Sequence, residues 1–223
     1  MRFSSLLFLR ILRQFSAIVV AFVVTSLAYG HNGEKHEDAG VSVDPGVAVD
    51  KSNGPLPVNL GGPFELIDHF GQTVTDQSYA GKYMLVFFGY TDCQVMCSIS
   101  LTRIGETLSL LQNKPNLFDN LNPLVVTVDP ENDTPAVLRT GLEKYHPALV
   151  GLTGSNEQLS QMYRAYKQKP VPLDEKIGDS QIISHSSYFY LMGPDGSLET
   201  FFPPILNPES MMAILEKYLS VQG

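Results

Sequence analysis

The chain has two cysteines, Cys93 and Cys97, with three residues between them. Two thiols this close can join as a disulfide, exchange electrons with another thiol pair, or hold a soft metal ion as thiolates. Redox pairs of the thioredoxin kind keep two residues between their cysteines, so the spacing leans away from disulfide exchange. A structural disulfide in an interaction module stays open on the residues alone. Further donors are His185, in Ser184-His185-Ser186 just ahead of an apolar run, and His31 and His36. The last two lie among acids in a segment with no apolar period, where histidines usually bind nothing specific. Met162 carries a soft sulfur, but it recurs with Leu159, Tyr163 and Tyr166 at helical core spacing and reads as packing.

These residues need elements to position them. An apolar run over residues 83–88 predicts a buried strand that feeds directly into the cysteines. Leu101, Ile104, Leu108 and Leu111 predict a helix leaving them. Cys93 and Cys97 therefore belong on the turn between the two, in or just before the first helical turn. Free backbone N–H groups there favour thiolate over thiol. His185 precedes a predicted strand over 188–192, at the end of a polar excursion (167–184) with no sustained period. Long excursions of that kind are functional or disordered.

The remaining punctuation is regular. Residues 63–67 and 72–74 read as a hairpin around a turn that contains His69. The β-branched run 124–128 reads as a strand buried on both faces of a parallel sheet, and it ends at Asp129-Pro130. Thr134-Pro135 opens a helix with a capping hydroxyl and a proline in its first turn, with Leu138, Leu142 and Tyr145 inward. A short strand over 149–152 follows. Ser155 and Gln158 then have capping-box spacing. Gly193 to Gly196 is a turn, 199–202 its return strand, and Asn207-Pro208 caps a last helix packed through Met211, Leu215 and Tyr218. Strands alternating with helices, flanked by hairpins, predict an α/β domain of thioredoxin type, a central mixed sheet flanked by helices.

Composition limits the setting. Arg2, Arg10 and Arg13, an apolar run over 15–27 and Ala28-Tyr29-Gly30 read as an export signal over residues 1–30. The run is shorter than the roughly 18 residues expected of a spanning helix, which favours cleavage over a retained anchor. Residues 31–57 read as a flexible tether, and 58–223 as the folded domain. The rest of the chain then works in the periplasm or another extracytoplasmic space, where disulfides are permitted. The net charge is −8, and losing the three arginines of the leader takes it to −11. Such an acidic chain has no electrostatic case for nucleic acid or an anionic membrane surface. Contact with a membrane would come only through an uncleaved leader. A basic patch on a partner suits it better.

Several stretches occur together in the order found in one family. They are Gly61-Gly62-Pro63-Phe64, Asp76, Gly81-Lys82, Phe88-Gly89-Tyr90-Thr91 and the Cys93/Cys97 pair. Val128-Asp129-Pro130-Glu131, Asp133-Thr134-Pro135 and Leu152-Thr153-Gly154 follow, then His185 and Pro194-Asp195-Gly196. Over residues 58–221 the chain resembles the Sco/SenC proteins, copper chaperones of cytochrome c oxidase assembly. The resemblance implies a thioredoxin-like fold with additional β-hairpins and a copper site made by Cys93, Cys97 and His185. It implies a carrier rather than an enzyme, with a copper-accepting oxidase subunit or another copper protein as partner. The chain departs from the family's pattern at Gln94 and Ser98, where prolines are usual, at Val95, where an acid is usual, and at Ser184, where an acid commonly precedes the histidine.

Coordination chemistry agrees with that ligand set. Cu(I) prefers thiolate and tolerates imidazole, whereas Cu(II) prefers more nitrogen and oxygen, so a Cys/Cys/His site can hold either with help from solvent. Asp129, at the end of the neighbouring strand, is a candidate hydrogen-bond acceptor behind the ligands; its plainer reading is an Asp-Pro turn. The alternative function is a thiol–disulfide oxidoreductase that keeps a copper partner's cysteines reduced, or a redox sensor, with a thioredoxin-like reductant as its own partner.

Overall fold

The computed structural model describes residues 59–93, 96–203 and 205–220. The leader and tether predicted for 1–57 lie outside the described residues.

The centre of the domain is β3 (Tyr83–Gly89), buried along its whole length. It pairs in parallel with β4 (Leu121–Thr127) and antiparallel with β8 (Phe189–Met192). Outside β4 lies parallel β5 (Val150–Thr153), then β1 (Glu65–Asp68) and β2 (Thr73–Thr75). Outside β8 lies β9 (Leu198–Phe202). The seven strands run in the order β2-β1-β5-β4-β3-β8-β9.

Among the described residues, a 3-10 turn (Asp76–Tyr79) and five α-helical segments accompany the sheet: α1 (Met96–Leu111), the single turn α2 (Pro115–Phe118), α3 (Pro135–Glu143), α4 (Asn156–Ala165) and α5 (Pro208–Leu219). Successive residues of β3 point to opposite faces. Tyr83 reaches α5, its hydroxyl donating to the Tyr218 carbonyl at 3.0 Å. Phe88, on the other face, meets Tyr163 near the end of α4 and Tyr190 of β8 edge-on and Tyr166, just past α4, at a tilt. The four apolar residues predicted for α1, Leu101, Ile104, Leu108 and Leu111, are all buried. The predicted caps also form. Thr134 accepts from the Val137 amide at 3.4 Å, Asn207 from the Ser210 amide at 2.8 Å, and Ser155 and Gln158 bond reciprocally at 3.3 and 2.9 Å. This is the expected thioredoxin-like α/β arrangement with added hairpins.

The structure amends the sequence reading at several points, the unread single turn α2 among them. The strand expected over 124–128 begins at Leu121 and contains Pro123. Pro123 lies opposite Leu85 of β3, while pairing with β5 starts only at Leu124, so the missing N–H falls where β4 has one neighbour. The polar excursion over 167–184 contains a second sheet, the hairpin β6 (Val171–Ile177) and β7 (Ser180–Ser184). Every residue of β6 is exposed, so no alternation of polar and apolar residues marks it. Its turn uses Gly178 at φ 63°, a left-handed conformation open to glycine. His69 is more than a turn residue: it is buried, and its Nδ1 accepts the Gly151 amide of β5 at 3.2 Å.

Candidate metal centre

Strand pairing gathers the site. β3 and β8 are antiparallel, with Phe87 opposite Phe189, so the chain leaves β3 where it enters β8. The loop after β3 carries the cysteines and the loop before β8 carries His185. Residues 88 positions apart are thereby brought together: Cys97 Sγ lies 3.3 Å from His185 Nε2.

Cys93 precedes α1 and Cys97 is its second residue, as expected. The Cys97 amide donates to Cys93 Sγ at 3.3 Å, so one free N–H of the helix start is spent on the first sulfur. Neither cysteine is in a disulfide. Cys97 is 1% exposed, and Cys93 is half-buried. The hydrogen bond to Cys93, burial, and repulsion between the two sulfurs push the Cys97 thiol far above its ordinary range. The helix start therefore does not make Cys97 a thiolate, contrary to the simple expectation. Burial and the neighbouring sulfur outweigh it.

His185 is oriented from behind. Its Nδ1 lies 2.9 Å from the Ser186 carbonyl, which can only accept, so Nδ1 carries the proton and Nε2 offers its lone pair to Cys97. The Ser186 hydroxyl meets Tyr190 Oη at 3.0 Å, and Gln168 Nε2 donates to that oxygen at 2.9 Å. This chain of polar groups fixes the histidine loop to β8 and to the end of α4. The ring also meets Phe87 and Tyr90 edge-on, at 6.4 and 6.1 Å between centroids.

The cysteine loop is clamped by an acid. Asp133, 1% exposed, accepts from the Thr127 hydroxyl at 2.6 Å, from the Thr91 amide at 3.3 Å, and from the Thr91 hydroxyl. Burial raises its carboxyl, and these three donors oppose the rise. Asp129 sits at the head of the same turn, half-buried, and its carboxylate accepts from Asn132 Nδ2 at 2.9 Å. Tyr90 ties the loop to the second sheet: its hydroxyl donates to the Gln181 carbonyl at 3.2 Å and accepts from the Ile183 amide at 3.3 Å. Burial pushes that phenol up to about 12. A cavity of about 280 Å³ opens between loop and hairpin. Cys93 and His185 line it together with Met96, Leu173 and Ile177.

Two donors on one ion, with bonds of about 2.3 Å to sulfur and about 2.0 Å to nitrogen, stand roughly 3.5–3.8 Å apart. The Cys97–His185 separation of 3.3 Å is close to that. Cys97 contacts both other donors, which makes the three residues neighbours. Among the described residues no group of three or more His, Cys, Asp and Glu is yet gathered around one metal-sized point. The donor types, two thiols and an imidazole with a free lone pair, suit a soft or borderline ion. Met162 is fully buried in the core, as its spacing predicted. His31 and His36 lie outside the described residues. Sequence reasoning quoted Tyr90, Asp133 and Ser186 in motifs without giving them a role, and passed over Gln168. The partners of Tyr90 and Gln168 and the Thr91 partner of Asp133 are distant in sequence, while Ser186 bonds close neighbours through a turn that no periodicity marks.

Comparison with known proteins points one way. A family model described as SCO1/SenC matches residues 53–220. Protein sco1 of Schizosaccharomyces pombe is 36% identical over 165 residues, covering 72% of this chain and 62% of that protein. The chain thus spans less than two thirds of that relative. The structure of Bradyrhizobium japonicum ScoI with copper bound is 36% identical with a TM-score of 0.65, covering 71% of this chain and 99% of that one. Arabidopsis thaliana ScoI with copper bound is 28% identical with a TM-score of 0.67, covering 72% and 98%. With three quarters of its length matched by the family model and its fold shared with these neighbours, the chain belongs to the SCO1/SenC family.

Proposed function

We propose that the chain is an extracytoplasmic copper metallochaperone. It takes up copper through Cys93, Cys97 and His185 and passes it to the copper-accepting subunit of a cytochrome c oxidase or to another copper protein. One observation carries the reading: the 3.3 Å approach of His185 Nε2 to Cys97 Sγ, with the far side of the imidazole tied to a carbonyl. That is how a histidine is held when its free nitrogen is to be a ligand. The relatives solved with copper bound support the same cargo.

In this reading copper is substrate, held and released unchanged. The cysteines bind Cu(I) as thiolates, His185 completes a trigonal set, and Cu(II) draws an added oxygen from solvent. A thioredoxin-like reductant keeps the pair reduced. The acidity of the chain favours an acceptor that is basic around its own site. Residues 1–30 direct export and 31–57 tether the domain. Among the described residues, no helix is long and apolar enough to cross a membrane.

The test is titration of the reduced protein with Cu(I) against a strong competing chelator. Cys93→Ala or Cys97→Ala is expected to abolish tight binding. His185→Ala is expected to weaken Cu(I) less and to damage the Cu(II) form more, because imidazole suits the harder ion. A double cysteine variant with wild-type affinity would move the site elsewhere and end this reading.

A further inference from the structure

Met96 opens α1 immediately before Cys97 and three residues after Cys93. Its side chain lines the same cavity as Cys93 and His185, and it is 46% exposed. The other described methionines behave differently. Met84, Met162, Met192 and Met211 are buried, and Met212 is half-buried. Cys97 is closed off from solvent and does not line the cavity, whereas Cys93, His185 and Met96 do. An ion coming through this cavity therefore meets a thioether as well as the half-buried thiol and the imidazole.

A thioether is soft, polarizable and neutral. Beside two thiolates it adds affinity for Cu(I) without adding charge. It gives little to Cu(II), which prefers nitrogen and oxygen. Its place on the cavity wall, partly open to solvent, suits a cargo site, where a weak donor can hold the ion while the stronger sulfurs engage or let go. Leu173 and Ile177 line the same cavity and supply an apolar wall that donates nothing to a metal.

Resting on the copper reading above, we propose that Met96 is an accessory sulfur donor for Cu(I), the donor through which the ion enters and leaves the Cys93–Cys97–His185 set. The alternative role is apolar lining of the cavity, which leucine would fill equally well.

The experiment uses reduced protein labelled at the methionine methyl carbons, titrated anaerobically with one equivalent of Cu(I), beside unlabelled Met96→Leu in chelator competition. The expected result is a shift of the Met96 methyl resonance on loading, with those of the buried methionines unmoved. Met96→Leu should lose Cu(I) affinity on the order of tenfold, as for groups that tune rather than build a metal site. Its Cu(II) binding should be unchanged. If wild type binds Cu(I) but the Met96 methyl stays in place, or Met96→Leu binds as tightly as wild type, the inference is overturned and the copper reading stands. If wild type binds no Cu(I), or Cys93→Ala/Cys97→Ala still binds it, the copper reading fails and takes the inference with it. Because Met96 is exposed, Met96→Leu is expected to fold, and an unchanged circular dichroism spectrum checks this.

Discussion

Cys97 is the residue on which two opposing effects meet. A helix start offers N–H groups to a thiolate, but the Cys97 amide is given to Cys93, and burial beside a second sulfur keeps the Cys97 proton on. Ligation to a metal must expel that proton. The sign follows directly. The Cys97 thiol is raised and so protonated at neutral pH, and each proton displaced on loading makes apparent Cu(I) affinity rise about tenfold per pH unit. Chelator competition between pH 6 and 8, corrected for the chelator's own protonation, measures the slope. A pH-independent affinity would mean that Cys97 does not bind as a thiolate. At this scale the cysteines were legible as a pair from their spacing, whereas His185 joined them only through the family resemblance. Gln168, Ser186 and Tyr190 are ordinary residues whose role comes only from standing in line behind His185.

Among the elements, helices were the most legible, since their apolar spacing and caps are local. β6 was not, because a strand exposed at every residue has no buried face to repeat. Pro123 hid the start of β4, because a proline argues against a central strand until the reach of β5 is known. Contacts between elements were also out of sight. Gly105 in the middle of α1 is one: a Cβ there would sit 2.5 Å from the Tyr145 carbonyl oxygen, just beyond α3. Alanine is the better helix former by about 1 kcal/mol, yet overpacking against backbone typically costs about 1–3 kcal/mol. Gly105→Ala is therefore expected to destabilise the domain by about 1 kcal/mol, read as a lower urea midpoint at unchanged slope. A raised midpoint would show that α1 and the end of α3 can separate freely. The buried acid clamp gives a second, larger effect. Asp133→Ala leaves the Thr91 amide and the Thr91 and Thr127 hydroxyls without their acceptor. It should cost about 2–3 kcal/mol in the same measurement, and a neutral result would contradict the clamp.

Across the whole molecule, the architecture turns distant residues into one site. The α/β class was readable from the alternation of elements, but the pairing of β3 with β8 was not. That antiparallel pairing sets the cysteine loop beside His185. From sequence, the histidine reached the cysteines only through a family resemblance. The structure supplies the physical cause, a sheet whose central strand ends where its neighbour begins. The central claim is that Cys93 and Cys97 hold copper as thiolates, so metal and disulfide compete for the same two sulfurs. The most direct measurement is to oxidise the pair, confirm the loss of free thiols, and repeat the anaerobic Cu(I) titration without reductant. The account predicts that tight binding disappears on oxidation and returns on reduction. Unchanged tight binding by the oxidised protein would contradict it.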